Sequence, residues 1–178
     1  MKKVLIIVSS PRENGNSDRL CRQFAKGAEE TGNKVETIYL RDKKINFCKG
    51  CSVCRTTHRC AQDDDMAEIL DKVVKADVIV LSTPVYFYIM NGQMKTFIDR
   101  CLPRYEEISN KEFCFICTSV DPDRAVIEKT LSGLRDFTDD CLDNCIERGV
   151  ICGIDTAVKG AIEDTPAYER AYEIAKNI

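Results

Sequence analysis

The chain has 178 residues, of which 44% are hydrophobic and 31% are charged, as in a globular domain with its own core. Its net charge of −3, without any basic block, excludes the charge pattern of a nucleic-acid-binding protein. The apolar run Val4–Val8 is too short for a signal peptide, and no stretch approaches the ~20 apolar residues of a membrane span. We therefore expect one cytoplasmic domain over residues 1–178, with neither a nucleic-acid nor a membrane partner.

Short apolar runs alternate along the chain with segments of helical periodicity. The strand KVLIIVSS precedes a helix over 17–30, in which Leu20, Phe24 and Ala28 recur four apart. Then follow strand KVETIYL, helix 63–75, strand DVIVLSTP, helix 92–102, strand EFCFICTS, a long helix 124–148, strand GVICGI and helix 165–177. Five strands separated by helices or crossovers predict a doubly wound, mostly parallel α/β sheet that is covered on both faces.

Ligands of such sheets bind beyond the carboxyl ends of the strands, which directs attention to loops 9–17, 41–62, 83–92 and 118–123. The first loop, SSPRENGNSD, lacks the Gly-x-Gly-x-x-Gly turn of dinucleotide sites and the Gly-Lys-Ser/Thr of nucleoside triphosphate sites. It offers hydroxyl, amide and guanidinium groups at a helix N-terminus, where a monophosphate can bind. An ordinary strand–helix turn, with Ser17 or Asn16 as the N-cap, explains the loop equally well.

The loop after the third strand lies in the segment STPVYFYIMNGQMKTFIDR. Pro84 is expected to break the strand ladder and to fix the turn. Tyr86, Phe87 and Tyr88 follow, and aromatic side chains at a ligand edge can form the wall of a site for a flat ring. The alternative is that these aromatics only pack the edge of the sheet.

The two segments, SSPRENGNSD and STPVYFYIMNGQMKTFIDR, together resemble the flavin-binding motifs of the flavodoxin-like NADPH-dependent FMN reductase superfamily. The resemblance covers essentially the whole chain. It implies FMN and a flavodoxin-like five-stranded parallel sheet of order 2-1-3-4-5. By position, the residues implied at the FMN phosphate are Ser9, Arg12, Asn16 and Ser17, and those at the ribityl chain and ring are Pro84, Val85, Tyr86 and Phe87. Thr118 and Ser119 would lie near the other edge of the ring.

Four of the eleven cysteines, Cys48, Cys51, Cys54 and Cys60, lie in the segment CKGCSVCRTTHRC. An odd total argues against a fully paired disulfide framework, and four compact thiolates suit a [4Fe–4S] cluster. The spacing closely resembles that of the iron–sulfur flavoproteins, a branch of the same superfamily, which implies that these four cysteines ligate a [4Fe–4S] cluster that exchanges electrons with FMN. Zinc, a reversible Cys51–Cys54 disulfide and a motif without any metal remain open alternatives.

The other seven cysteines are predicted to pack as small apolar side chains. Cys114 and Cys117 are expected on opposite faces of one strand, because their separation is odd. Cys141 and Cys145 are expected on one face of the long helix; the remaining three are Cys21, Cys101 and Cys152. The only histidine, His58, is interpreted as an exposed loop residue, with a proton donor near the flavin as the alternative.

The resemblance implies an FMN-dependent oxidoreductase similar to NAD(P)H-dependent FMN reductases and quinone reductases. Electrons would enter from NAD(P)H or a one-electron donor and leave to a quinone, a flavin or another small acceptor, with or without the cluster. No acid–base dyad is evident, so the catalytic residues stay unassigned. The alternatives are a non-enzymatic flavodoxin- or ferredoxin-like carrier between redox partner proteins and a structural zinc module. The resemblance also implies a homo-oligomer, either a dimer or a tetramer.

Overall fold

The computed structural model describes residues 1–178. Its strands are β1 (Lys3–Val8), β2 (Lys34–Tyr39), β3 (Val78–Tyr86), β4 (Ile89–Met90), β5 (Glu112–Thr118) and β6 (Ile146–Gly153). Its helices are α1 (Asn16–Glu30), α2 (Cys54–Thr57), α3 (Met66–Lys75), α4 (Gly92–Asp99), α5 (Arg124–Arg135) and α6 (Pro166–Lys176). The alternation of strand and helix is the one that the apolar runs predict.

Five strands form a parallel sheet in the order β2-β1-β3-β5-β6. Counted along the chain without β4, this is the order 2-1-3-4-5, so the predicted doubly wound flavodoxin-like sheet is confirmed. The sequence does not predict β4, which pairs antiparallel with the end of β3.

Strand β1 shows why its run is apolar without interruption. Val4, Ile6 and Val8 pack into the core layer that contains residues of α1 and α6, whereas Leu5 and Ile7 pack into the layer that contains residues of α3, α4 and α5. All five side chains are buried. A parallel strand covered on both faces has no position at which a polar side chain would reach water.

The predicted long helix over 124–148 is wrong. Helix α5 ends at Arg135, a π-helical turn continues to Asp140, and the chain then reverses into β6. Asn144 adopts a left-handed φ of 53° at this reversal, and the N–H of Ile146 donates to the carbonyl of Lys111 to begin the pairing with β5. Helical periodicity could not show where α5 ends, because the pairing of β6 with β5, which lies earlier in the chain, imposes that end.

The cysteines near this reversal need a second correction. Cys141 and Cys145 do not share a helix face, since only the π-helical turn and irregular chain separate α5 from β6. Cys145 packs half-buried against the core, whereas Cys141 is exposed. The prediction for Cys114 and Cys117 is confirmed, because they belong to opposite core layers of the sheet.

Pro84 does not end its strand, as the sequence suggested. Strand β3 continues to Tyr86 and forms a hairpin with β4, in which Val85 lies opposite Met90. A proline is tolerated here because it lies near the end of its parallel pairing, opposite Thr118 at the last position of β5.

None of the helices combines the length and the apolar composition that crossing a bilayer requires.

Candidate flavin cleft and cysteine loop

A cleft opens where β1, β3 and β5 end, on the edge of the sheet at which parallel strands position ligands. Its lining consists of Ser10, Arg12, Gly15, Asn16, Ser17, Pro84, Val85, Tyr86, Thr118, Ser119, Val120 and Thr156. The structure therefore brings three of the loops selected from the sequence to one place. The enclosed part measures about 80 Å³, well below the ~300 Å³ lower end of small-molecule pockets, so a ligand larger than a phosphate must extend beyond it.

The N-terminus of α1 faces this cleft without a side-chain cap. Gly15 is the N-cap residue and supplies no capping group, so the first N–H groups of the helix stay available to an anion. The alternative in which Ser17 or Asn16 caps the helix is wrong. Arg12 adds an exposed guanidinium that forms no ion pair within the chain.

Ser17 and Thr118 join two of the loops at the bottom of the cleft. Both side chains are buried, and their hydroxyl oxygens lie 2.8 Å apart. Ser119 is fixed next to them, because its N–H donates to the carbonyl of Gly153 and its own carbonyl accepts from the N–H of Thr156. The hydroxyl groups are thus held in place before any ligand arrives.

Two predicted phosphate residues are engaged elsewhere. The Ser9 hydroxyl is buried and donates to the carbonyl of Ser82, and Ser9 does not line the cleft. The Asn16 side-chain amide donates to the carbonyls of Thr156 and Val158 and accepts from the N–H of Gly160. Asn16 therefore holds the 156–160 loop against the cleft with its side chain.

On the opposite wall, Pro84, Val85 and Tyr86 line the cleft, whereas Phe87 does not. Phe87 and Tyr88 form the tip of the β3–β4 hairpin with φ of 49° and 70°. Left-handed conformations at both central positions define a type I′ turn, which normally carries Asn-Gly. Phe87 is 98% exposed. Its left-handed backbone is therefore strained although its aromatic ring makes almost no packing contact that would offset the strain.

Four residues that line the cleft have no role assigned from the sequence. Ser10 and Gly15 belong to the first motif and are among the groups that it offers an anion, whereas Val120, directly after the Thr118–Ser119 pair, is not predicted at all. Thr156 follows β6, and extending the search for loops at carboxyl strand ends to the last strand would have found it.

The cysteine loop lies between β2 and α3. Cys48 and Cys51 are exposed, and Cys54 and Cys60 are partly exposed, while none of the eleven cysteines forms a disulfide. No three His, Cys, Asp or Glu side chains of the chain are close enough together to hold a metal ion. The donor set itself fits a soft metal centre, because four free thiols lie on one loop outside the core.

Four of the other seven cysteines are buried, unlike those of the loop, whereas Cys145 and Cys152 are partly exposed. The packing role predicted for Cys141 is wrong, because this residue is exposed. Cys21 and Cys114 are buried, and desolvation raises the pKa of each thiol to about 12. Burial also raises the pKa values of Cys101 and Cys117. A thiol with a raised pKa is a poor nucleophile and a poor metal ligand, so the packing role predicted for these residues is consistent with their surroundings.

His58 is exposed at the end of α2, where its backbone adopts a left-handed φ of 53°. It borders a cavity with Cys54 and Arg104 rather than the flavin cleft. The interpretation as a loop residue agrees with this position, and the proton-donor alternative gains no support from it.

A buried ion pair fastens the base of the loop. Both carboxylate oxygens of Asp64 accept from Arg100, at 2.8 and 2.9 Å, and Asp64 also accepts from the backbone N–H groups of Asn46 and Met66. Burial acts to raise the pKa of Asp64, but these hydrogen bonds, with that from Arg100 the strongest, outweigh it and lower the pKa to about 2.

Comparison with known proteins identifies the family. Residues 2–135 match the family described as NADPH-dependent FMN reductase. The chain belongs to this family. The match covers the whole cysteine loop and every residue that lines the cleft except Thr156, and it ends at the last residue of α5.

Individual proteins similar to this chain carry a more specific name. An iron–sulfur flavoprotein of Archaeoglobus fulgidus is 42% identical over 101 residues, which are 57% of this chain and 46% of that protein. The chain thus spans about half the length of that relative. An iron–sulfur flavoprotein of Methanosarcina thermophila is 29% identical over 99% of this chain and 93% of its own length. An azoreductase of Bacillus anthracis has the same fold, with a TM-score of 0.76 and 16% identity over the full length of both chains.

Proposed function

We propose that residues 1–178 form one FMN-binding domain of an oxidoreductase that takes electrons from NAD(P)H or a one-electron donor and passes them to a quinone, flavin or other small acceptor. The observation that carries the proposal is the cleft itself. It joins an uncapped helix N-terminus, two buried hydroxyl groups and a strand end with an aromatic residue. These are the groups that a phosphate at one end and a flat ring at the other would use.

In this proposal each part of the cleft has a distinct task. The first N–H groups of α1, the Ser17 hydroxyl and Arg12 bind the phosphate of FMN. Pro84, Val85 and Tyr86 bound the ribityl chain and one edge of the ring, with Thr118 and Ser119 near the other edge. Bound FMN supplies hydride and single-electron chemistry, and the chain positions it.

The test uses the purified chain, reconstituted with FMN under anaerobic conditions. We expect one bound FMN and quinone-dependent oxidation of NADH or NADPH, at rates in the usual enzymatic range of about 1–10³ s⁻¹. The absorbance of the nucleotide and the flavin is followed with each nucleotide in turn. A chain that binds no FMN contradicts the proposal.

The flavin site is proposed to be completed by a second copy of the chain. Beyond the small enclosed part of the cleft lies an exposed apolar rim consisting of Tyr86, Phe87, Tyr88, Ile89 and Val120. A neighbouring subunit on this rim would cover the rest of the ring and shield it from water. Sedimentation analysis with and without FMN tests this, and a monomer at all concentrations in the presence of FMN contradicts it.

We further propose that Cys48, Cys51, Cys54 and Cys60 hold a [4Fe–4S] cluster. Their spacing, their freedom from disulfides and the name of the iron–sulfur flavoproteins that the chain resembles support this proposal. A bound cluster would exchange single electrons with the flavin. Reduced thiols require a reducing compartment, which agrees with the cytoplasmic location expected from the sequence. Iron and acid-labile sulfide assays after anaerobic purification distinguish the cluster from zinc and from free thiols.

The exposed position of Cys48 and Cys51 favours one alternative function, that of an electron carrier between redox partner proteins. A cluster close to the surface would exchange electrons with a docked protein without needing NAD(P)H. The nucleotide assay separates the two functions. Bound FMN that neither NADH nor NADPH reduces, but that a one-electron donor does reduce, supports the carrier.

A further inference from the structure

A buried guanidinium lies at the base of the cysteine loop. Arg100, just after α4, is only 2% exposed and pairs with Asp64, whose side chain is fully buried. Its Nη1 also donates to the carbonyl of Asn46, and its Nη2 donates to Sγ of Cys60 at 3.4 Å. One side chain therefore joins both ends of the loop and contacts one of the four thiols.

This arrangement is a costly way to stabilise a fold. Removing two charges from water carries a penalty that their attraction often only balances, and an apolar pair of similar volume commonly does as well. The Nε of Arg100 is buried without any partner, which adds to the cost. No other cation of the chain donates a hydrogen bond to a thiol of the loop. An apolar pair could replace neither the contact with Cys60 nor the hydrogen bonds to the backbone of Asn46 and Met66, and of these only the contact with Cys60 reaches a thiol of the loop.

On the basis of the [4Fe–4S] site proposed above, we propose that Arg100 is a positioning residue that sets the reduction potential of that site. It holds Cys60 at the closed base of the loop and donates an N–H to the cysteine sulfur. A reduced cluster carries one more negative charge than an oxidised one, and hydrogen bonds to its sulfur atoms stabilise that charge. Arg100 therefore makes the potential more positive than the four cysteines alone would.

The experiment compares Arg100→Lys with a matched control, Arg104→Lys, in the full chain reconstituted with iron, sulfide and FMN. Lysine at 100 keeps a positive charge for Asp64 but loses the forked donor. Arg104 borders the cavity next to Cys54, yet its guanidinium bonds only to Asp71 and Glu107. The cluster potential is measured by redox titration with electron paramagnetic resonance detection, and iron content is measured in parallel.

We expect Arg100→Lys to retain its iron and to shift the cluster potential to a more negative value, while the flavin potential stays unchanged. Arg104→Lys should match the wild type. A filled cluster with an unchanged potential in Arg100→Lys overturns the inference, as does an equal shift in Arg104→Lys. A wild-type chain that binds no iron overturns the inference and the proposed cluster, but not the flavin site, which the FMN spectrum tests separately.

If Arg100→Lys fails to fold, a second measurement, on a chain that keeps Arg100, tests whether this arginine contacts the cluster. In this chain Arg55, Arg59 and Arg104 are replaced by lysine, and the remaining arginines carry ¹⁵N in the guanidinium group. We expect ¹⁵N hyperfine coupling at the reduced cluster, because Arg100 is then the only arginine that contacts a cysteine of the loop. No coupling in an iron-loaded sample overturns the inference.

Discussion

The flavin cleft and the cysteine loop are held in place in different ways. In the cleft, Ser17, Thr118 and Ser119 are buried and hydrogen-bonded. Ser17 lies in the first turn of α1, and Thr118 and Ser119 lie at the end of β5. In the loop, Cys48 and Cys51 are exposed, and no three ligand side chains converge. The sheet thus arranges the polar groups of the cleft without a ligand, whereas in the proposed cluster site the metal itself would have to bring the thiols together.

The base of the loop is the exception to this contrast. The side chains of Asp64 and Arg100 are as well buried as the residues of the cleft, and they link the two ends of the cysteine loop. The proposed cluster would need a loop that stays open between fixed ends, and this loop has them. The comparison therefore predicts three separate effects: variants in the cleft lose FMN, variants in the loop lose iron, and variants at the base of the loop lose folding stability.

The largest expected effect is that of Ser17→Asp, which places a carboxylate in the cleft where the phosphate of FMN should bind. Repulsion between the two anions in a buried position should leave the protein without flavin. The flavin-to-protein ratio after reconstitution measures this, with circular dichroism to verify folding. Ser132→Asp, the same change at an exposed site on α5, should bind FMN normally. Full flavin in Ser17→Asp would show that the phosphate lies elsewhere.

Cys51→Ala should abolish iron binding and leave the flavin unchanged, because Cys51 contributes nothing to the lining of the cleft. A cube with one protein ligand per iron loses stability when one thiolate is removed. Iron, sulfide and flavin are measured on the same sample. Cys141→Ala removes an exposed thiol outside the loop and should retain all three. Loss of flavin together with iron in Cys51→Ala would mean that the two regions are not independent.

Asp64→Asn should lower the free energy of unfolding by about 3–5 kcal/mol, because it leaves the buried charge of Arg100 without its partner. Urea denaturation measures the change. Asp99→Asn, at an exposed ion pair with Lys95, should cost no more than about 1 kcal/mol. Similar values for the two variants would mean that the base of the loop is no better fixed than the surface.

The same pair predicts a pH dependence. The pKa of Asp64 is about 2 in the folded chain, below its unfolded value of about 3.9. Its stabilising contribution is therefore complete above about pH 4 and is lost as the pH falls toward 2. The wild type should lose more stability than Asp64→Asn between these limits, and parallel curves for the two proteins would contradict the assignment.

The smallest expected effect is at the hairpin tip. Phe87→Gly should raise the stability of the free chain by about 0.5–1 kcal/mol, since glycine adopts a left-handed backbone without the strain that phenylalanine stores there. Phe47→Gly, at another exposed aromatic residue with negative φ, should give no such gain. Thermal unfolding of both variants tests this. An equal effect in both would show that exposure, rather than backbone strain, decides the result.

The sequence was sufficient for most of the sheet. Buried parallel strands must be apolar at every position, so β1, β3 and β5 could be recognised from their runs. The end of α5 could not be recognised, because Asp136–Asp140 continues in helical form and only pairing of β6 with β5 reverses the chain. The hairpin after Pro84 could not be predicted either, because its turn carries Phe87 and Tyr88 in place of the Asn-Gly pair that normally marks such turns.

For the candidate sites, the sequence by itself determined which chemical groups are present: a phosphate-type loop, an aromatic strand end and four closely spaced thiols. Spacing along a chain is local information, and these motifs are local. The tertiary structure alone decided that Asn16 serves the 156–160 loop, that Ser17 meets Thr118 and that Arg100 reaches Cys60. Each of these contacts joins residues at least forty positions apart, and only packing of the core brings such distant side chains together.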